Sequence, residues 1–391
     1  MKRKLIAILL LIAVLLPLSA LPEGWYLRGQ RLDQHGEVLW GFLPTYVEGG
    51  GGYRGAPLID GHMTSYEVIL GGGYLQRKLW QDPKTGEVNR YATNPLTYDV
   101  GVFNWSFEMR QGFFSSPIED NDMLYVWAEY RGLYEKAIDS MVAGKSRSNY
   151  TSATVSTLDG YLGANYDGSI FPDLAGDHQY LGNSIAFGLK FDYMVDTVET
   201  MDGVLAELSF EWGPSWANGA LDGKAAFYNI TFDIVGAKTL YQYKSAKDFH
   251  WFSIQIIDRV RLNYTSGDKV PVYMQRLGSL GRMVRGFNSY SYASEFTAVN
   301  NFEFRFTGPM LGVSWLYPRA ALFLDLGYGG GHNYNTDITA SNFVATTGFQ
   351  LSIGVFDFLD IGFTYTYLIK GKRFNQDDSN LSFQFMFFLD Y

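Results

Sequence analysis

The sequence contains no cysteine, and only 18% of its 391 residues are charged. Without cysteine an exported chain has no disulfides to stabilise it, and no cysteine is available to carry the lipid of a lipoprotein. Hydrophobic runs long enough for a transmembrane helix are absent after residue 20. Aromatic residues reach 17% of the chain, which is high for a globular enzyme of this length. Together these features favour a protein that is stabilised by a closed scaffold and not by disulfides.

Basic residues are also in short supply. The chain has 31 basic and 40 acidic residues; if the first three basic residues are removed with a leader, 28 remain against 40, a net charge of −12. No basic stripe is available for phosphates, which argues against nucleic acid as a partner. The acidic residues cluster in turn-like segments, as is typical of water-facing loops.

The first twenty residues have the pattern of a secretion signal. Lys2, Arg3 and Lys4 precede an unbroken apolar run over residues 5–16, and Pro17 ends that run. Twelve apolar residues are too few to span a bilayer comfortably, so an uncleaved anchor helix is the weaker alternative. We predict a signal peptide over residues 1–20, cleaved near Ala20, and one β-domain over residues 21–391.

The mature chain alternates polar and apolar residues in short segments separated by Gly, Asn, Asp and Ser, which is typical of an all-β protein. The last segment is the strongest case, because six apolar residues spaced by two lie on one face and reach the final residue. A soluble sandwich rarely ends on such a stripe, whereas in an outer-membrane barrel the stripe faces lipid and directs assembly. The residues of this predicted closing strand are Leu381, Phe383, Phe385, Phe387, Leu389 and Tyr391.

The two preceding strands agree with this interpretation. Apolar residues alternate with small and hydroxyl residues over 349–355 and 361–369, with a short turn predicted over 357–360 and a longer polar loop over 370–380. Short turns that alternate with long loops are typical of outer-membrane barrels. We therefore predict a transmembrane antiparallel β-barrel of about 16 strands, with the nine tryptophans in the aromatic girdle at the membrane interface.

One ordered set of motifs is more specific. Val284-Arg285-Gly286-Phe287 follows a Gly-rich approach; then come Glu303 and Arg305 in E-F-R, and Phe323-Leu-Asp325-Leu-Gly. This order resembles the barrel of the BamA/TamA-type bacterial surface antigen superfamily, which includes barrel-assembly and two-partner secretion transporters. The resemblance covers residues 275–391. Only about forty residues, from 21 to about 60, precede the first strands that the sequence pattern indicates. This is too few for a POTRA module, so we expect a barrel without such modules.

The resemblance implies roles for these residues. It implies that the loop with Val284-Arg285-Gly286-Phe287 folds into the lumen and that Arg285 pairs with the inward-facing Asp325. A guanidinium and a carboxylate suit such a bidentate pair. Gly286 is expected to permit a tight turn and Phe287 to wedge against the inner wall, while Glu303 and Arg305 share a face and extend the network.

Catalytic and metal-binding chemistry has little support. The five histidines are scattered and none is paired at metal-ligand spacing, and the glycine runs lack the context of a phosphate loop. No Ser/His/acid order suggests an enzyme, so we predict neither catalysis nor a cofactor or metal.

Two functions remain open. The first is an integral outer-membrane barrel with a role in transport, protein insertion or surface display, with lipid and the barrel-assembly machinery as its partners. The second is a passive porin or a structural, adhesin-like surface barrel. An open, charge-lined eyelet would favour the second.

Overall fold

The computed structural model describes most of the chain beyond residue 24. The predicted signal peptide (1–20) and Tyr391 lie outside the described residues. The ranges described are 25–33, 46–55, 57–79, 96–116, 122–139, 158–163, 166–197, 200–221, 223–245, 251–287, 292–308, 316–335, 343–355, 359–371 and 380–389.

Fourteen β-strands lie within these ranges, and each pairs antiparallel with the next strand in the chain. The strands are β1 (Trp25–Asp33), β2 (Tyr46–Arg54), β3 (Thr64–Leu79), β4 (Leu96–Ser115), β5 (Asp122–Asp139), β6 (Gln179–Asp196), β7 (Met201–Gly213), β8 (Ala226–Lys244), β9 (Trp251–Lys269), β10 (Ala293–Thr307), β11 (Leu316–Asn335), β12 (Phe343–Val355), β13 (Leu359–Lys370) and β14 (Leu381–Leu389). Short helices lie in two connections: α1 (Leu158–Leu162), a 3₁₀ helix (Pro172–Leu174), α2 (Val272–Leu277) and α3 (Leu280–Met283).

Alternation decides which side of the sheet each residue faces. On β11, Phe323 and Asp325 are 3% and 0% exposed, whereas Leu322 between two inward neighbours is 55% exposed. Similar exposed apolar residues continue around the other strands. They include Val68, Leu70, Phe103, Phe107, Val126, Ile185, Phe187, Leu189, Leu208, Ile230, Leu262, Phe302, Phe349, Leu351, Ile353 and Ile361. The inward face is therefore polar or packed, and the outward face carries an apolar belt.

Buried clusters show that the sheet curves around an interior, called the lumen below. Val272 packs with Tyr46 of β2 and Tyr98 of β4, while Phe287 packs with Val344 of β12 and Leu368 of β13. One segment thus touches strands from both ends of the sheet, which requires the wall to wrap around it. The all-β antiparallel barrel architecture is confirmed; within the described residues no pairing joins β1 to β14.

The two ends of the wall differ in their connections. At one end the connections span 3 to 9 residues, such as 356–358 and 197–200; at the other they reach 23 residues at 270–292 and 39 at 140–178. This alternation of short and long connections was predicted. No helix in the described ranges is long and apolar enough to cross a membrane.

Three details differ from the predictions. The described residues hold fourteen strands instead of about sixteen, and several strands are long, with β4 and β11 at 20 residues each. Asp360 belongs to β13 and not to the preceding turn. Trp127 and Trp251 are buried on the inward face, so they do not belong to an interfacial girdle; Trp40, Trp80 and Trp315 lie outside the described residues.

Candidate functional site

The connection between β9 and β10 enters the lumen at the long-loop end. Pro271 precedes α2, which suits a residue without a backbone N–H at a helix start, and Ser279 separates α2 from α3. Leu280 and Val284 are almost fully buried. Their burial holds the segment 270–287, named the inner loop below, against the wall.

Arg285 makes the central contact between the inner loop and the wall. Its Nε donates to Asp325 Oδ2 at 2.9 Å, and its Nη2 donates to Asp325 Oδ1 at 2.8 Å. The backbone N–H of Arg285 donates to the same Oδ2 at 2.9 Å. A fully buried carboxylate therefore receives a bidentate guanidinium and a main-chain donor, an arrangement stronger than neutral hydrogen bonds.

Two further groups complete the surroundings of this guanidinium. Arg285 Nη1 donates to Glu303 Oε2 at 3.0 Å, and the guanidinium carbon lies 3.8 Å from the centre of the Phe323 ring. Glu303 also accepts a hydrogen bond from Arg305 Nε at 2.7 Å. Burial disfavours the charged guanidinium, but the hydrogen bonds and charge of Asp325 outweigh it, so the pKa of Arg285 is raised. The charges of the two arginines and the two carboxylates in this cluster cancel, which suits a cluster that protein encloses.

Gly286 and Phe287 occupy the tip of the segment. Gly286 has φ of 88°, a conformation that glycine adopts without a steric cost. Phe287 is buried and meets Tyr292 edge-on, with ring centroids 5.5 Å apart. The structure thus places all six motif residues, from Arg285 to Asp325, in one region of the lumen; what the region does stays a prediction.

A glycine on the wall makes room for the inner loop. A Cβ added to Gly327 would lie 2.8 Å from Val344 Cγ2, 3.0 Å from Val284 Cγ2 and 3.3 Å from Leu280 Cδ1. Two of these atoms belong to the inner loop and one to β12. The last residue of Phe-Leu-Asp-Leu-Gly therefore permits close approach of the loop to the wall.

A second inward contact joins residues that no sequence motif marked. Arg77 of β3 and Glu135 of β5 form a buried ion pair, with Nη1 donating to Oε2 at 2.8 Å. Asp173 of the 3₁₀ helix lies beside them, with its Oδ2 3.8 Å from Arg77 Nη1. Burial and the nearby Glu135 raise the pKa of Asp173 to about 6. Charged residues at inward positions of two strands were the available signal.

Asp173 also links the connection between β5 and β6 to the inner loop. The backbone N–H of Val272 donates to Asp173 Oδ1 at 3.0 Å, and Gln275 Nε2 donates to the carbonyl of Ile170 at 3.3 Å. Leu158 and Leu174 pack with Val272 in one buried cluster. Residues 158–163 and 166–177, named the second segment below, therefore lie against the inner loop inside the wall.

Two of the histidines lie within hydrogen-bonding distance of a carboxylate. His62 Nδ1 lies 2.9 Å from Asp122 Oδ1, and His178 Nε2 lies 2.8 Å from Asp159 Oδ1. Neither pair forms part of a metal site, because in the ranges that the structure describes no group of three or more His, Cys, Asp or Glu residues could hold a metal ion.

The predicted closing strand coincides with β14. Leu381 lies opposite Tyr367 of β13, and Phe383 stacks on Phe363 at 5.4 Å between ring centroids. Leu381 and Phe383 are exposed on the outward face. Phe385, Phe387 and Leu389 continue the same backbone register against β13.

No family model matches the chain, and no curated protein matches it. Among solved structures, the chain is similar to BamA from Haemophilus ducreyi lacking POTRA domains 1-3, with 13% identity and a TM-score of 0.47 over 88% of this chain and 62% of that one. It is also similar to the siderophore receptor PirA from Acinetobacter baumannii, with 10% identity and a TM-score of 0.30 over 87% of this chain and 54% of that one. The chain thus spans less than two thirds of either structure.

Proposed function

We propose that the protein is an integral barrel of the bacterial outer membrane whose lumen is closed by the inner loop and the second segment. The apolar belt supports membrane placement, because a continuous outward band of Leu, Ile, Val and Phe is costly in water and favourable in lipid. Tyr241 and Tyr243 lie exposed at the end of β8, where interfacial girdles occur.

The observation that carries the closed state is the cluster of Arg285, Asp325 and Glu303. Three charged side chains from a loop and two strands are enclosed with matched hydrogen bonds. Such a cluster is stable only while the loop stays in place, because removal of either partner leaves an unpaired buried charge. A passive porin needs an open eyelet, so this arrangement favours the first function over the second.

Within that closed barrel we propose a non-catalytic role of the BamA-like kind: membrane-associated transport, insertion of proteins or surface display. The motif order from Arg285 to Asp325 supports this assignment. The buried ion pair of Arg285 with Asp325 holds the inner loop to the wall and so supports a barrel that opens only when this contact is broken. The proposed partners are outer-membrane lipid and, during biogenesis, the barrel-assembly machinery. A structural surface barrel remains the alternative, since a permanent plug would serve it equally well.

Single-channel recording in planar bilayers tests this proposal. The wild-type protein is expected to show little conductance, and Arg285→Ala is expected to produce frequent openings because its loop loses the wall contact. Arg305→Ala is the matched control: it removes an arginine from the same cluster but leaves Arg285 bonded to Asp325. A large, steady wild-type conductance that is unchanged in Arg285→Ala would contradict the closed barrel and favour the porin.

A further inference from the structure

A carboxylate lies on the outward face where apolar residues are expected. Odd-numbered residues of β9, such as Ser253, Gln255 and Asn263, are buried on the inward face. The outward series is Phe252, Ile254, Ile256, Asp258, Val260, Leu262 and Tyr264. Five outward residues lie between Phe252 and Tyr264, and Asp258 is the middle one. Its side chain is exposed.

A second polar residue accompanies Asp258 on the next strand. Asn300 of β10 donates from Nδ2 to Asp258 Oδ1 at 2.5 Å, and both face outward. Ile256 and Val260 on the same face of β9 are apolar, and so is Phe302, which lies directly opposite Asp258. One amide leaves most of the acceptor capacity of a carboxylate unused. Ionisable groups at membrane depth are costly and usually have a function and a partner.

The surface beside this pair has room for close approach. Gly236 of β8 lies directly opposite Asp258 on the other side, and a Cβ added to it would meet no atom within 4 Å. Lys238 lies two residues further along β8 on the same face. Its side chain is 73% exposed and donates to Asp202 Oδ1 at 2.8 Å. One patch therefore holds two acids, Asp258 and Asp202, with one base that bonds Asp202 and a glycine beside Asp258.

We propose that this patch is the interface for a second copy of the chain in the membrane. It is self-complementary, as a two-fold interface must be. With Gly236 at the axis, the exposed Lys238 of each copy can turn on its flexible stem from Asp202 of its own chain to Asp258 of the other. Charge complementarity selects this occupant, because lipid chains offer no donor to the carboxylate. The inference depends on the membrane placement proposed above and is independent of the closed lumen.

Cysteine cross-linking in native outer membranes tests the interface, and the absence of cysteine makes single variants clean reporters. Gly236→Cys is expected to form a disulfide-linked dimer of twice the chain mass on oxidation. Leu351→Cys on the outward face of β12, four strands away, is the matched control and is expected to stay monomeric. Equal cross-linking of the two variants, or an adduct of another mass, would overturn the proposal.

Charge reversal tests the ion pairs in the Gly236→Cys background. Asp258→Lys places like charges together and is expected to lower the dimer yield at least about tenfold, and adding Lys238→Asp is expected to restore it. Should Asp258→Lys fail to insert, as judged by heat-modifiable migration, Asp258→Asn replaces it and is expected to lower the yield less. An unchanged yield in an inserted variant would overturn the proposal.

Membrane placement is checked separately with the control variant. A fluorophore on Leu351→Cys is expected to be quenched by phospholipids with brominated chains. Quenching without a Gly236→Cys dimer would refute the interface alone. Absence of quenching would refute the membrane placement itself.

Discussion

Replacement of Arg285 by alanine should destabilise the protein far more than replacement of Arg305, although both arginines belong to one cluster. Arg285→Ala removes two side-chain hydrogen bonds from Asp325, which is fully buried, and one from Glu303. The loss of one partner of a buried pair costs about 3–5 kcal/mol. Arg305 is 31% exposed and makes one bond to Glu303, which keeps Arg285 as a partner. Arg305→Ala should therefore cost only about 0–1 kcal/mol.

Urea unfolding in lipid vesicles, followed by tryptophan fluorescence and heat-modifiable migration, measures both values. The double variant Arg285→Ala/Asp325→Ala should be less destabilised than the sum of its single variants, because no buried carboxylate is then left without its guanidinium. Equal unfolding free energies for Arg285→Ala and Arg305→Ala would refute the reasoning. Strict additivity in the double variant would refute the coupling between loop and wall.

Three other changes follow from the same contacts. Gly327→Ala should cost about 1–3 kcal/mol, since its Cβ would crowd Val344 and Leu280, and should expose the inner loop to protease; unchanged cleavage would contradict this. Because the pKa of Asp173 is raised from 3.8 to about 6, the folded state binds more protons than the unfolded state between about pH 4 and 6. The contribution of this group to stability should therefore rise as pH falls from about 6 to 4, by up to about 1.4 kcal/mol per unit. Asp173→Asn should flatten that profile, and an identical profile in the variant would rule out this group. Deletion of residues 387–391 should abolish heat-modifiable migration, because β14 loses its end; normal assembly would contradict the closing-strand assignment.

Much of the wall could be predicted because a strand has a period of two. If Asp325 faces inward, as the resemblance implies, this period puts Leu322 and Leu324 on the outward face, and the structure places all three so. The same rule would have placed Trp251 correctly, since it precedes the outward Phe252. The prediction that all nine tryptophans lie in the girdle is therefore wrong for Trp251.

The second segment could not be predicted in the same way. Arg77, Glu135 and Asp173 lie far apart in the sequence, on two strands and a short helix. Their meeting depends on how the wall curves and on the path of a 39-residue connection, and no local pattern encodes either. The contact of Arg285 with Asp325 was accessible only because the order of motifs suggested a partner for the loop.

An engineered disulfide between the inner loop and the wall tests the closed lumen most directly. Val284 and Gly327 are close enough for a cross-link, since a Cβ on Gly327 would lie 3.0 Å from Val284 Cγ2. The variant Val284→Cys/Gly327→Cys should form an intramolecular disulfide in intact outer membranes, whereas Val284→Cys/Leu351→Cys should not, because Leu351 faces outward. Free thiols in the first variant, with normal barrel assembly, would contradict a loop held inside the barrel.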